Sequence, residues 1–323
     1  MPNGKPWGSG YCDGEGGTQQ GKGKREHSKL EMQWAKLADR MQPGAQQRVV
    51  RSVSAWGQRI RDQLRNETGF RMSGKDGRVG VRVTVEDGIP VALSGALSDD
   101  MLPIAHLLMQ LGLFQQAARG VRVVGDNLDA VGSIIGLPPD EVAGKEDLLA
   151  VASLLERLAA KLADIRLPGR ILGLEEDVLG AYFYRRQVVR VYWVPISLLS
   201  ASGGFPLEAL SFVVIAHELA HAYTHVGLDI NGFAWDTEKF ADSTDELVEG
   251  FAQFYTERVC EHFEEQFPSA LETFRAIKKC QPALYSAYEN WPEVSSGEDM
   301  RRLLRESSGR SAAVSAPQQA IDD

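Results

Sequence analysis

The sequence predicts an α+β fold, helices with a small β-sheet, on three observations. The segment Leu207–Tyr223 (LEALSFVVIAHELAHAY) carries no charge between Glu208 and His217 and is apolar almost all round, which marks a buried helix. Two runs rich in strand formers, Val178–Tyr184 and Val188–Trp193, flank Arg185-Arg186-Gln187 and read as a hairpin. Upstream, apolar residues recur at helical spacing in long stretches bounded by Pro and Gly.

Taken in order, residues 1–26 hold 8 glycines within the first 23 positions and little apolar matter, and are expected to be a disordered tail. Residues 27–168 should form a mixed α+β region. Two helical pieces over 28–66 break at Pro43-Gly44, and the second carries Val49, Val50, Val53, Trp56 and Ile60 on one face. Its arginines (Arg48, Arg51, Arg59, Arg61, Arg65) read as a solvated face rather than a nucleic-acid site. Val79–Val85 and Ile89–Leu93 suggest a hairpin around Glu86-Asp87-Gly88. A helix over 99–118 follows, with His106 packed in its core face, then a strand at Val121–Val124. Asp140–Ile165 reads as an amphipathic helix ended by Leu167-Pro168-Gly169, where the domain boundary falls. In the second region, 169–306, Pro206 suits the first position of the buried helix. Ser243 with Glu246 three residues on forms a capping box that starts another helix. Tyr285–Trp291 and Met300–Glu306 suggest short closing helices, and 307–323 a second disordered tail.

The chemistry lies in residues 217–221, His-Glu-Leu-Ala-His. At 3.6 residues per turn, His217 and His221 project from one helix face and can share a metal ion, with Glu218 beside it as a general base. The chain has 6 histidines in 323 residues, and chance would place this pattern on the order of once per hundred such chains. Two imidazoles and a carboxylate inside a buried helix need a partner, which a metal supplies. A third ligand must come from elsewhere. A third histidine six residues past His221 is excluded, since Gly227 stands there. Glu249, one turn into the helix opened by Ser243, points into the site and is assigned; Glu246 ranks second, and Asp242 and Asp245 are distant.

With Glu249-Gly250-Phe251-Ala252 on that second helix, the constellation resembles the gluzincin zinc metallopeptidases, in which a second helix supplies a glutamate ligand. The resemblance covers residues 175–260. It implies a zincin-like catalytic domain with one Zn²⁺ on His217, His221 and Glu249. It also implies a sheet whose edge strand, Leu179, Gly180, Ala181, Tyr182, Phe183 and Tyr184, lines the cleft and pairs with substrate. The gap from His221 to Glu249 is 28 positions (249 − 221), and Val248 stands where aminopeptidases of this type carry asparagine. Gln253, one turn past Glu249, is placed to hydrogen-bond a ligand histidine, a role given to an aspartate in thermolysin-like enzymes.

The expected activity is hydrolysis of a peptide bond by zinc-activated water, with Glu218 moving the proton from water to leaving amine. His225, Tyr255 and Tyr288 stand as alternatives for the donor that stabilises the oxyanion; Tyr223 lies about 160° round the helix from His221. The substrate class is peptide or protein, with restricted specificity. A non-catalytic, metal-bound interaction protein on the same scaffold is the alternative. A net charge of −9 excludes nucleic acid as the main partner. No run approaches the ~18 apolar residues of a bilayer span, and three cysteines without close spacing fit a reducing, cytoplasmic setting.

Overall fold

The computed structural model of this chain describes residues 29–72, 80–90, 93, 101–128, 144–163, 167–173, 178–229, 232, 234–291 and 296–307. The tails expected at 1–26 and after Ser307 lie outside the described residues. The architecture is α+β: mostly helical, with one three-stranded sheet. None of the described helices is long and apolar enough to cross a membrane.

The chain divides into two units, one from Leu97 to Leu167 and the other from the residues on either side of it. The helices before residue 69 fall in the same unit as the candidate site. They are α1 (Lys29–Met41) and α2 (Ala45–Thr68), and strand β1 (Arg82–Glu86) follows them. Gly44 and Gly69 bound α2 with φ of 71° and 69°, a left-handed backbone that glycine adopts without strain.

Part of the second arm of the expected hairpin, at residues 91–92, lies outside the described residues; its first arm is β1. β1 pairs in parallel with β3 (Val188–Tyr192), which lies at the sheet centre, and β2 (Gly180–Phe183) pairs antiparallel with β3 on the other side. Val189 and Val191 on β3 are fully buried, so β1 joins a sheet with a packed core. The β2–β3 hairpin forms as the sequence indicates, though Leu179 and Tyr184 flank the strand rather than belong to it. Gln187 closes the turn with φ 50°.

After β3, α7 (Trp193–Gly203) leads to α8 (Leu207–Val226), with Pro206 as its cap rather than its first residue. Of the twenty residues of α8, only Glu208 and Val226 are not buried. The helix is held between α2, β2 and α10 (Asp245–His262). Trp56 of α2 meets Phe212 edge-on at 5.1 Å and stacks on Phe267 at 5.3 Å. Three of the five arginines of α2 serve this packing, while Arg51 and Arg65 are exposed. Arg48 grips Glu208 with two bonds of 2.7 and 2.8 Å, Arg59 lies over the Trp56 ring at 4.4 Å, and Arg61 donates to the Val81 carbonyl at 3.0 Å. Glu208 is held below its ordinary pKa chiefly by the Arg48 hydrogen bonds, but both side chains reach solvent, so the pair contributes under about 1 kcal/mol.

α6 (Leu167–Leu172) occupies the stretch expected to be a break, with Pro168 tolerated in its first turn. α9 (Thr237–Ala241), α11 (Pro268–Lys278), a 3₁₀ helix η1 (Ala283–Asn290) and α12 (Gly297–Ser307) complete this unit.

The other unit holds α3 (Met101–Met109), α4 (Leu111–Asp126) and α5 (Lys145–Ala163). The stretch expected as a strand at Val121–Val124 is the end of α4, with Val123 and Val124 exposed. His106 is exposed rather than packed in a core, its Nδ1 2.9 Å from the Leu102 carbonyl.

Candidate metal centre

α8 carries His217 and His221 inward one turn apart, and α10 brings Glu249 against them. The two Nε2 atoms lie 3.1 Å apart. Glu249 Oε2 is 3.2 Å from His217 Nε2, and its Oε1 is 3.5 Å from His221 Nε2. The three side chains are buried, and one ligand atom from each lies within 4.8 Å of the other two, so the group could hold a metal ion. Glu246 and Asp242, the sequence alternatives, are exposed.

The charges fit a cation. Burial pushes the His217 imidazole down, against the pull of Glu249, so it is neutral, the form that ligates. Burial works to raise the Glu249 carboxyl, but His221 and His217 beside it hold it well below the usual carboxylate range. The Glu249 carboxylate lies against both imidazoles, and its Oε2 has no hydrogen-bond partner of normal geometry among the described residues. Two nitrogens and one carboxylate form a donor set suited to zinc.

The expected capping box does not form. Thr244 caps α10 without a side-chain bond, and the Ser243 hydroxyl donates to the Lys239 carbonyl at 2.6 Å. Competition from the short α9 just before it removes Ser243 from the cap. Gly250, after the ligand, has a packing reason: a Cβ there would lie 2.7 Å from the Trp291 ring.

Glu218 is 2% exposed and lines a cleft together with His217. Leu179 and Gly180 form one wall. A Cβ on Gly180 would lie 2.8 Å from both Cγ and Oε1 of Glu218, so this glycine is what lets the strand backbone pass the carboxylate. Ala181, Tyr182, Phe183 and Tyr184, expected to line the cleft with them, do not line it. Ala181 and Phe183 cluster with Tyr192 on one face of the sheet, and Tyr182 and Tyr184 pack against His225 on the other.

The candidate donors are corrected by their partners. His225 is buried away from the cleft, its Nδ1 3.0 Å from the Tyr182 hydroxyl and its Nε2 3.1 Å from Thr237 Oγ1. Burial lowers its pKa to about 4, so it is a neutral core histidine. Tyr255 is fully buried outside the cleft, and Tyr288 bonds to Glu257 and Lys278. The Tyr223 hydroxyl donates to the Arg61 carbonyl at 2.8 Å. Gln253 does line the cleft, but its amide donates to Gln281 Oε1 at 3.2 Å rather than to a ligand histidine.

Sequence reasoning missed Tyr285, which lines the cleft with its ring centroid 6.2 Å from that of His217. It arrives on η1, packed against α10. Gln281, Phe274 and Ile277 were missed as well. Nothing in their spacing relates them to His217; the aromatic content of Tyr285–Trp291 was the only available signal. Comparison with known protein families, curated proteins and solved structures finds no match to this chain, so the site is read from its own geometry.

Proposed function

We propose that this chain is a zinc-dependent peptidase of gluzincin type, a zincin-like catalytic unit acting on peptide or protein substrates in the cytoplasm. The observation that carries the reading is a buried His217–His221–Glu249 group with Glu218 in the adjoining cleft rather than among the ligands. A purely structural metal site has no need of a second buried acid beside its ligands. His217, His221 and Glu249 would hold the ion. Bound there, zinc supplies Lewis acidity and lowers the pKa of a water towards 7.

The remaining steps belong to the chain. An extended substrate lies along Leu179–Gly180, the part of the strand segment that lines the cleft. Glu218 takes a proton from the attacking water and passes it to the leaving amine. Tyr285 donates to the oxygen that gains charge as the carbonyl carbon becomes tetrahedral. The apolar cleft walls exclude bulk water, which strengthens these interactions.

The decisive experiment combines metal analysis of the purified chain with Glu218→Gln. One zinc per chain is expected in both proteins, with hydrolysis of a mixed peptide library falling at least ~10²-fold in the variant. Full activity in Glu218→Gln, or a wild type without bound metal, overturns the reading.

A further inference from the structure

Beyond the ligands and Glu218, the cleft holds a pair of carboxamides that the hydrolysis does not use. Gln253 is 3% exposed, and its Nε2 donates to Gln281 Oε1. Its own Oε1 is buried with no hydrogen-bond partner among the described residues. A buried acceptor left unpaired is destabilising, so a ligand that brings a donor accounts for it.

The rest of the lining narrows that ligand. Val178, Leu179, Val213, Phe274 and Ile277 make the walls apolar. The Thr256 hydroxyl is already committed to the Ala252 carbonyl at 2.7 Å. Among the described residues no Lys, Arg or Asp lines the cleft, so a charged side chain would enter without a counter-charge away from the reacting centre. An apolar side chain would match the walls and leave Gln253 Oε1 unpaired. Exchanging O and N in both glutamine amides keeps their mutual bond and presents an NH₂ instead of an oxygen. A carboxamide carries both donor and acceptor and meets either setting.

We propose that this cleft is a subsite for an uncharged carboxamide side chain, glutamine or asparagine, next to the scissile bond, read by Gln253 and Gln281. The assignment rests on the peptidase reading above and names its substrate class.

The test uses the zinc-loaded full chain and end-blocked hexapeptides that differ only in the residues flanking the central bond: Gln, Met, Glu or Lys. Binding is measured by calorimetry in the Glu218→Gln background, where turnover does not interfere, and cleavage in the wild type. The Gln peptide is expected to bind about tenfold more tightly than the Met peptide, the worth of one buried hydrogen bond. Adding Gln253→Leu should abolish that ratio with zinc retained. Should that variant lose zinc or fold, Gln281→Ala reads the other half of the pair and should reduce the ratio. An unchanged ratio in the folded variant, a preference for Glu or Lys, or no binding by any peptide overturns the subsite. Selective binding without cleavage by the wild type retires the hydrolysis and leaves the subsite. Cleavage without discrimination retires the subsite and leaves the hydrolysis.

Discussion

A carboxylate buried as deeply as Glu249 is tolerated only when positive charge reaches it. Glu249→Ala should therefore abolish most metal uptake, measured by elemental analysis. Glu246→Ala should keep the metal and change stability by under about 0.5 kcal/mol, because Glu246 is exposed and outside any capping bond. Equal metal loss in both variants would assign the third ligand wrongly. His225 gives a pH prediction. Its pKa falls from about 6.5 unfolded to about 4 folded, chiefly through burial. The unfolded chain thus binds a proton that the fold refuses. The stability from neutral His225 is complete above pH 6.5 and is lost as pH falls towards 4, by up to about 3 kcal/mol. Denaturant midpoints with chelator present should decline over that window more steeply for wild type than for His225→Gln; parallel curves would refute this. At this scale the sequence was most legible, since i, i+4 spacing alone puts His217 and His221 together. Partners from other elements were not. Nothing local foretold that Tyr182 and Thr237 occupy His225, or that Gln281 occupies Gln253.

η1 is a single stretch of 3₁₀ helix and would be weak alone. Tyr288 fixes it, bonding to Glu257 of α10 and to Lys278 of α11, which also pairs with Glu289. Burial and Glu257 both keep the Tyr288 hydroxyl protonated. Tyr285, three residues earlier, depends on that fastening for its place in the cleft. Tyr285→Phe should retain zinc and lower kcat by roughly 10- to 10³-fold, the scale of one lost oxyanion donor. Tyr288→Phe should lower kcat less and also loosen η1, seen as faster amide exchange over 283–290. Unchanged kcat in Tyr285→Phe would send the donor role elsewhere. Elements with a strong composition of their own, the apolar run of α8 and the strand formers of the β2–β3 hairpin, were readable from sequence. One decided by distant packing was not: β1 pairs with a strand about a hundred residues away.

For the molecule as a whole, metal and fold are linked, because His217 and His221 sit on the most buried helix and Glu249 on its neighbour. Removing the metal with EDTA should lower the melting temperature by at least about 5 °C, and added zinc should restore it. Calorimetric traces that superimpose with and without chelator would separate the site from the fold. The domain organisation was the least legible level. A boundary read from Pro, Gly and polarity near 168 cannot reveal that residues 29–90 return to complete the sheet and flank α8, since that depends on pairings with no local signature.

The absent methyl group at Gly180 also makes a ruler. With Cβ built there at 2.8 Å from both Glu218 Cγ and Val214 Cγ1, Gly180→Ala is a bump, and Glu218→Asp, one methylene shorter, opens the hole on the side of the acid. Each single change should destabilise the folded chain by about 1–3 kcal/mol. Together they should cost less than their sum, by a coupling of at least about 0.5 kcal/mol. That non-additivity, read from unfolding alone, would report in solution how closely the strand backbone passes the acid, without any substrate being known.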